Sequence, residues 1–279
     1  MTTAQKVIKY LANAFAIFLI VTIISSVLNI GYDILSAIGA ITTKENKILD
    51  DFITISDNTE EVSSLKLDTK GLDLQIKNGE RLEVKTNNSN VKYSSENGNI
   101  VIKEEKQNTW DFEKSYEGTI IIYLPEYMEQ IDEVKMDIGA GTVSIETLNT
   151  QSLYLDLGAG NITIDNIIVS KETKINGGAG NISINSGKVS NLDLDLGIGK
   201  TNIKADVTGK SKIDTGVGNL DLYLTLSKED YKIDIDKGIG EIKFNDNTIE
   251  DNTSFGEGSN YIKINGGVGE ININTEQFL

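Results

Sequence analysis

Cysteine and histidine are both missing from this 279-residue sequence. Their absence removes thiolate nucleophiles, imidazole bases, His-dependent catalytic triads and the usual zinc and iron ligand sets together. No disulfide can form, so burial and backbone hydrogen bonding must hold the fold, a composition compatible with an oxidising exterior. Proline and tryptophan occur once each, and Arg81 is the single arginine. Positive charge is scarce as well: 26 basic residues stand against 42 acidic ones, a formal charge of −16. Binding nucleic acid requires a concentrated basic surface that releases counterions, so no nucleic-acid partner is expected and polyanions are disfavoured. Such a surface favours cations, cationic peptides or basic protein patches, and it also serves plain solubility.

Charge is absent altogether from Tyr10 to Tyr32, a run of 23 residues. At ~1.5 Å per residue in a helix, this run spans the ~30 Å hydrocarbon core of a bilayer. Lys6 and Lys9 precede it and Asp33 is the first charge after it, so the positive-inside rule places residues 1–9 in the cytoplasm and the rest outside. The expected organisation is a cytoplasmic tail (1–9), a single-pass transmembrane signal anchor in the cell membrane (10–32) and a juxtamembrane segment with a polar tether (33–61). A cleaved signal peptide is the competing reading. Its apolar region is usually ~7–15 residues and ends at a small-x-small site, for which Ser36 to Ala40 is a poor match.

Beyond the tether the sequence repeats. Gly-x-Gly recurs at Gly139 with Gly141, Gly158 with Gly160, Gly178 with Gly180, Gly197 with Gly199, Gly216 with Gly218, Gly238 with Gly240, and Gly267 with Gly269. The first glycines are separated by 19, 20, 19, 19, 22 and 29 residues, the mark of a repeat architecture. Three residues before each stands an apolar residue: Met136, Leu155, Ile175, Leu194, Ile213, Ile235 and Ile264. Six after stand Ile145, Ile164, Ile184, Ile203, Leu222, Phe244 and Ile273. Four after stands a second, nearly apolar column with Thr201 as its exception, and the residues between these two columns are all polar. That is strand alternation with one face buried. Inward positions fall on odd offsets before the glycines and even offsets after them, so the phase slips by one at Gly-x-Gly. Glycine supplies the backbone needed for such a slip, and the element reads as a corner. A third apolar position on the return (Leu148, Ile167, Val189, Val207) completes one coil. The expected fold class is all-β: a single-stranded parallel β-solenoid, or β-helix, of about 20-residue coils over 134–279, preceded by one N-terminal transmembrane helix. Residues 62–133 alternate without clear corners and read as an N-terminal cap with degenerate coils, since an open solenoid end exposes strand edges. Pro125 is expected to end a strand there.

The Leu124-Pro125-Glu126 stretch and the repeated Asp-x-Gly-Ala-Gly-Asn-Ile-x-Ile, as at Asp156–Ile164 and, with Asn first, Asn176–Ile184, carry a family resemblance. Over roughly Val62 to Ile273 the chain resembles the bacterial "putative adhesin" family of β-strand-repeat domains, a domain of unknown function. That resemblance implies a β-helical envelope protein, often tethered by one N-terminal helix and associated with surface attachment or envelope stress. It brings no catalytic residues.

Two residues before each corner stand Asp137, Asp156, Asn176, Asp195, Asp214, Asp236 and Asn265. Stacking would align them in a row. Either their side chains accept hydrogen bonds from corner N–H groups, as Asp and Asn do in turns, or the aspartates form a calcium ladder. Calcium-binding β-rolls use a repeat about half this long. Phosphate-loop fragments occur at Gly199-Lys200-Thr201 and Gly209-Lys210-Ser211, but the upstream glycine of that motif is replaced by Leu194 and Lys204, so no nucleotide partner is expected. Nothing singles out a carboxylate pair for glycoside cleavage. Trp110, Phe112 and Tyr116 form the aromatic cluster, either a contact surface or part of a buried cap. The expectation is a chain with no catalytic, cofactor-binding or metal site and no cofactor. It would be a cell-surface adhesin or envelope scaffold contacting an unknown protein, peptide or glycan outside the cell, held to the membrane through residues 10–32. The alternatives are a regulator that senses envelope stress through a membrane signalling partner, and a polysaccharide-active enzyme.

Overall fold

Apolar and polar residues alternate at period two through nearly every element, and the strands obey that alternation: Glu83–Asn88 buries every second side chain, as does Ser64–Thr69. The computed structural model describes residues 48–56, 62–105, 118–126, 130–249 and 253–276. These belong to one compact unit; the other, Met1–Asn46 with Lys106–Tyr116, lies outside the described residues. The expected tail, the span 10–32 and the cluster of Trp110, Phe112 and Tyr116 therefore lie outside them too. Among the described residues no helix is long and apolar enough to cross a membrane.

The described unit is all-β and solenoid-like. Extended backbone runs unbroken from Ile131 to Ile184 through three Gly-x-Gly corners, because the corners themselves stay paired with the coils beside them. Successive coils pair in parallel with equivalent residues in register, as in Leu194 with Ile175 and Ile213, or Ile203 with Ile184 and Leu222. Side chains of one column therefore stack on one another and fill a continuous core from Val62 to Ile273. Met136, Leu155, Ile175, Leu194, Ile213, Ile235 and Ile264 are all buried, as are the return positions Leu148, Ile167, Val189 and Val207. Phe244 is only partly buried.

The coils do not stack in chain order. Asn260–Asn265 inserts between Lys210–Asp214 and Tyr231–Asp236, pairing with both in parallel. The Gly267 coil is therefore the penultimate layer and the Gly238 coil the outermost. A mirror of this occurs at the other end, where Ser64–Thr69 lies between Asn99–Glu104 and the start of Ile131–Ile184. At the C-terminal end the chain skips a layer, builds the outermost coil and returns to the layer it had skipped; at the N-terminal end it starts in the penultimate layer, builds the outermost coil and then passes back over its first coil. Those excursions also supply the caps. Val91–Glu96 and Glu83–Asn88 pair antiparallel with the outer strands at one end, and Thr253–Phe255 and Asn247–Thr248 do so at the other. Edges that would template another chain are thereby covered.

Part of the segment expected as juxtamembrane chain and polar tether (33–61) is strand. Ile48–Thr54 is a strand, paired antiparallel with Glu83–Asn88, and Ile55 packs on the core. Its β-branched and aromatic residues suit a sheet edge better than solvent. Pro125 ends the strand Thr119–Pro125, a position where a residue without an N–H is tolerated.

Tyr231, at the start of the outermost C-terminal coil, is 1% exposed. Its hydroxyl meets no partner with full hydrogen-bond geometry among the described residues; burial pushes its pKa up to about 12, against a weaker opposing pull from the nearby Val207 and Leu226 N–H groups. A folded-state pKa above the unfolded one means stability is lost as pH rises from ~10 through that value. Tyr231→Phe removes a buried unsatisfied hydroxyl and is expected to raise stability by about 1 kcal/mol in urea unfolding at pH 7. A variant less stable than the wild type would show that the hydroxyl is satisfied.

Candidate functional site

The Gly-x-Gly corners organise the surface. At the second glycine of every pair φ lies between +127° and +147°, a region that L side chains avoid. Space excludes a side chain as well: a Cβ on Gly180 would stand 1.6 Å from the carbonyl oxygen of Gly160. The contact recurs layer by layer, and it confirms the stacking order, since Gly267 packs on Gly216 and Gly238 on Gly267. In the first coil Lys70 and Leu72 occupy the positions of Gly139 and Gly141.

The row of acidic residues is brought together. Register pairs Asp68 with Asp137, Asn176 with Asp195, Asp195 with Asp214, and Asn265 with both Asp214 and Asp236. Corner N–H groups do not use this row: Gly218 donates to the Val268 carbonyl at 2.8 Å and Val268 to that of Gly216 at 2.8 Å. The row instead bonds along itself and to lysines. Asp214 accepts from the Asn265 amide and the Lys212 ammonium, and Lys263 lies 3.5 Å from Asp236. Partial burial pushes the Asp214 pKa up, but the bonds from Asn265 and Lys212 outweigh it and hold the carboxyl below its ordinary value. Among the described residues no three acidic side chains converge as a metal set. Titrating the chain with calcium to millimolar concentration is expected to give no saturable heat by calorimetry; a saturable isotherm lost on Asp195→Asn would establish the ladder as a calcium site.

A second row escaped sequence reasoning. The residue after the second glycine uses its side-chain oxygen to accept the backbone N–H of the same position in the next layer. Asp73 accepts from Thr142 at 2.7 Å, Asn161 from Asn181 at 3.2 Å, Asn181 from Lys200 at 3.0 Å, and Asn219 from Glu270 at 3.1 Å. The available signal was asparagine after the second glycine in three copies. The phosphate-loop fragments serve the fold. Lys200 pairs with Asp221 at 2.9 Å, the Lys210 N–H donates to Asn191, and the Ser211 hydroxyl accepts the Leu192 N–H at 3.1 Å. At the C-terminal end a pocket of about 470 Å³ is lined by Tyr231, Ile233, Phe244 and Phe255, with Lys228 and Glu229 at its rim. The two phenylalanine rings there lie 4.5 Å apart.

With layered corners and capped ends in view, the family comparison decides the kinship: residues 62–274 match the family described as Toastrack DUF4097. This chain belongs to that family. The matched span of the Toastrack domain opens at the coil that is sandwiched at one end and closes in the coil sandwiched at the other. Three crystal structures are similar. One is a "putative adhesin" from Bacteroides fragilis NCTC 9343, 14% identical, with a TM-score of 0.48, covering 81% of this chain and 98% of that one. Another is a "putative cell adhesion protein" from Clostridium sporogenes ATCC 15579, 19% identical, with a TM-score of 0.31 and coverage of 81% and 98%. The third is a "putative adhesin" from Parabacteroides merdae ATCC 43184, 11% identical, with a TM-score of 0.35 and coverage of 82% and 97%. No curated protein matches the Toastrack chain.

Proposed function

We propose that the chain is a non-enzymatic, membrane-anchored interaction module of the bacterial cell surface: a single-stranded parallel β-solenoid held outside the cell by residues 10–32. The observation that carries this reading is the in-register stacking of identical corner positions. It turns each sequence column into a surface row, so the fold builds long faces suited to contact with another macromolecule. Its acidic balance favours a basic protein or peptide partner over polyanions. Anchoring rests on the uncharged run from Tyr10 to Tyr32 and the preceding Lys6 and Lys9.

Because the chain lacks cysteine, topology can be read from single introduced thiols. In intact cells a membrane-impermeant maleimide is expected to label Ser144→Cys, an exposed polar position, and to leave Thr3→Cys unlabelled until the cells are opened. Labelling of Thr3→Cys alone would reverse the topology. Deleting the chain should reduce attachment of cells to a protein-coated surface without changing envelope-stress transcription. The opposite result would make it a regulator.

A further inference from the structure

The residue between the two glycines does no packing inside the coil, yet it is apolar in all seven copies. In stacking order the row runs Ala140, Ala159, Ala179, Ile198, Val217, Val268, Ile239. Ile198 is in register with Ala179 on one side and Val217 on the other, and Val268 bridges both Val217 and Ile239. Ile198 is 63% exposed, Ile239 44% and Val217 42%, while Val268 is half-buried. With layers ~4.8 Å apart, these four β-branched side chains form an apolar ridge roughly 14 Å long. Alanine occupies the same place three layers running, so corner geometry does not require the larger residues.

The ridge has an acidic border. Three residues before it stand Asp195, Asp214, Asn265 and Asp236, and two after it Lys200, Asn219, Glu270 and Glu241. From Asp195, Asp214, Asn265 and Asp236 through to those residues, the four corner segments hold five carboxylates (Asp195, Asp214, Asp236, Glu241, Glu270) against two ammonium groups (Lys200, Lys237). Lys200 is engaged by Asp221, and Lys212, Lys263 and Lys243 pair with Asp214, Asp236 and Glu241, which leaves Asp195 and Glu270 as the border carboxylates with no ion pair among the described residues.

We propose that this ridge docks an amphipathic basic helix of a partner protein, an inference that rests on the surface-interaction reading and names its partner class. A helix laid along the stack advances ~5.4 Å per turn, against ~4.8 Å per layer. Over three intervals the mismatch is about 2 Å, so three to four turns each set an apolar side chain against one layer. Lysines or arginines on the helix flanks then meet the carboxylate rows. A second copy of this chain would oppose carboxylate to carboxylate, and an anionic lipid surface meets the same repulsion.

The test uses the full chain in phosphatidylcholine nanodiscs and a fluorescent 14-residue Leu/Lys peptide with leucines at helical i, i+3, i+4 and i+7 spacing, with empty nanodiscs subtracted. The variant Ile198→Ala, Val217→Ala, Ile239→Ala, Val268→Ala carries a residue native to that row. It is expected to keep its circular dichroism and to bind at least about tenfold more weakly. Ala179→Ile lengthens the ridge and should tighten binding severalfold. Equal binding by the quadruple variant, by a scrambled Leu/Lys peptide, or by a Leu/Glu peptide would overturn the proposal. So would ridge-dependent self-association that the peptide does not compete, or ridge-dependent binding to anionic vesicles. Cells carrying the quadruple variant that attach normally, where deleted cells do not, would remove the ridge and leave the broader function standing.

Discussion

Gly180→Ala is expected to destabilise the described unit by more than about 4 kcal/mol, the range reached when a backbone position cannot accommodate a side chain. Two costs combine. The φ of +144° at Gly180 strains any L residue, which alone is worth ~1–3 kcal/mol. The new Cβ would also sit 1.6 Å from the Gly160 oxygen, about half a normal contact distance, and Gly160 cannot retreat because its own position is packed on Gly141. Relief requires the layers to part by more than an ångström, which breaks parallel ladder bonds on both sides of the corner. Gly240→Ala meets a similar clash, 1.8 Å from the Gly269 oxygen, but its coil is the outermost and can lift away, so the loss there should be about half as large. Ala179→Val, one residue from Gly180 and exposed, should stay within ~0.5 kcal/mol of wild type. Urea unfolding followed by far-ultraviolet circular dichroism measures all three. A Gly180→Ala chain within 1 kcal/mol of wild type would mean that the layers do not stack corner upon corner.

The same contact explains what the sequence revealed and what it hid. Burial on alternate positions and the one-residue phase slip at each corner are local properties, written in columns such as Met136 to Ile264, and strands formed where the pattern required. Layer order is not local. Every coil presents the same inward columns, so the Gly267 coil fits against the Gly216 coil as well as the Gly238 coil does. Only the long-range pairs, such as Asp221 with Asn272 at 51 residues' separation, record which neighbour was chosen. The uneven intervals of 22 and 29 residues were the trace of that choice: the longer one holds the hairpin Ile242–Phe244 with Asn247–Thr248 and the strand Thr253–Phe255 that caps the outer layer. Strand Ile48–Thr54 was hidden for a similar reason, because its stability comes from pairing with Glu83–Asn88 rather than from a strong alternation of its own.

The missing glycines of the first coil lead to the second large effect. Inner corners pass their N–H groups to the carbonyls of a neighbouring corner, as Gly218 does to Val268, whereas at the Lys70 corner a side chain accepts. Glu104 supplies it: its carboxylate, 8% exposed, accepts the Lys70 N–H at 2.8 Å. Burial pushes the Glu104 pKa up, the backbone N–H groups of Lys70 and Gly71 oppose the shift, and the net value stays above the ordinary carboxylate. The sign of the pH effect follows. Between the unfolded pKa and the raised folded one, the folded chain holds a proton that the unfolded chain has released, so this group's contribution to stability falls as pH rises through that window. Glu104→Gln keeps an acceptor for Lys70 without the ionisation. Its stability relative to wild type should therefore grow as pH rises through the window and level off above it. Glu104→Ala leaves the part-buried Lys70 N–H without its acceptor and is expected to cost about 1 kcal/mol or more at pH 7. Urea midpoints for the three chains across pH 4 to 7, taken as differences so that other carboxylates cancel, separate the two roles. A Glu104→Ala chain as stable as wild type would show that water satisfies the terminal corner, and parallel pH profiles for wild type and Glu104→Gln would show that the carboxyl titrates normally.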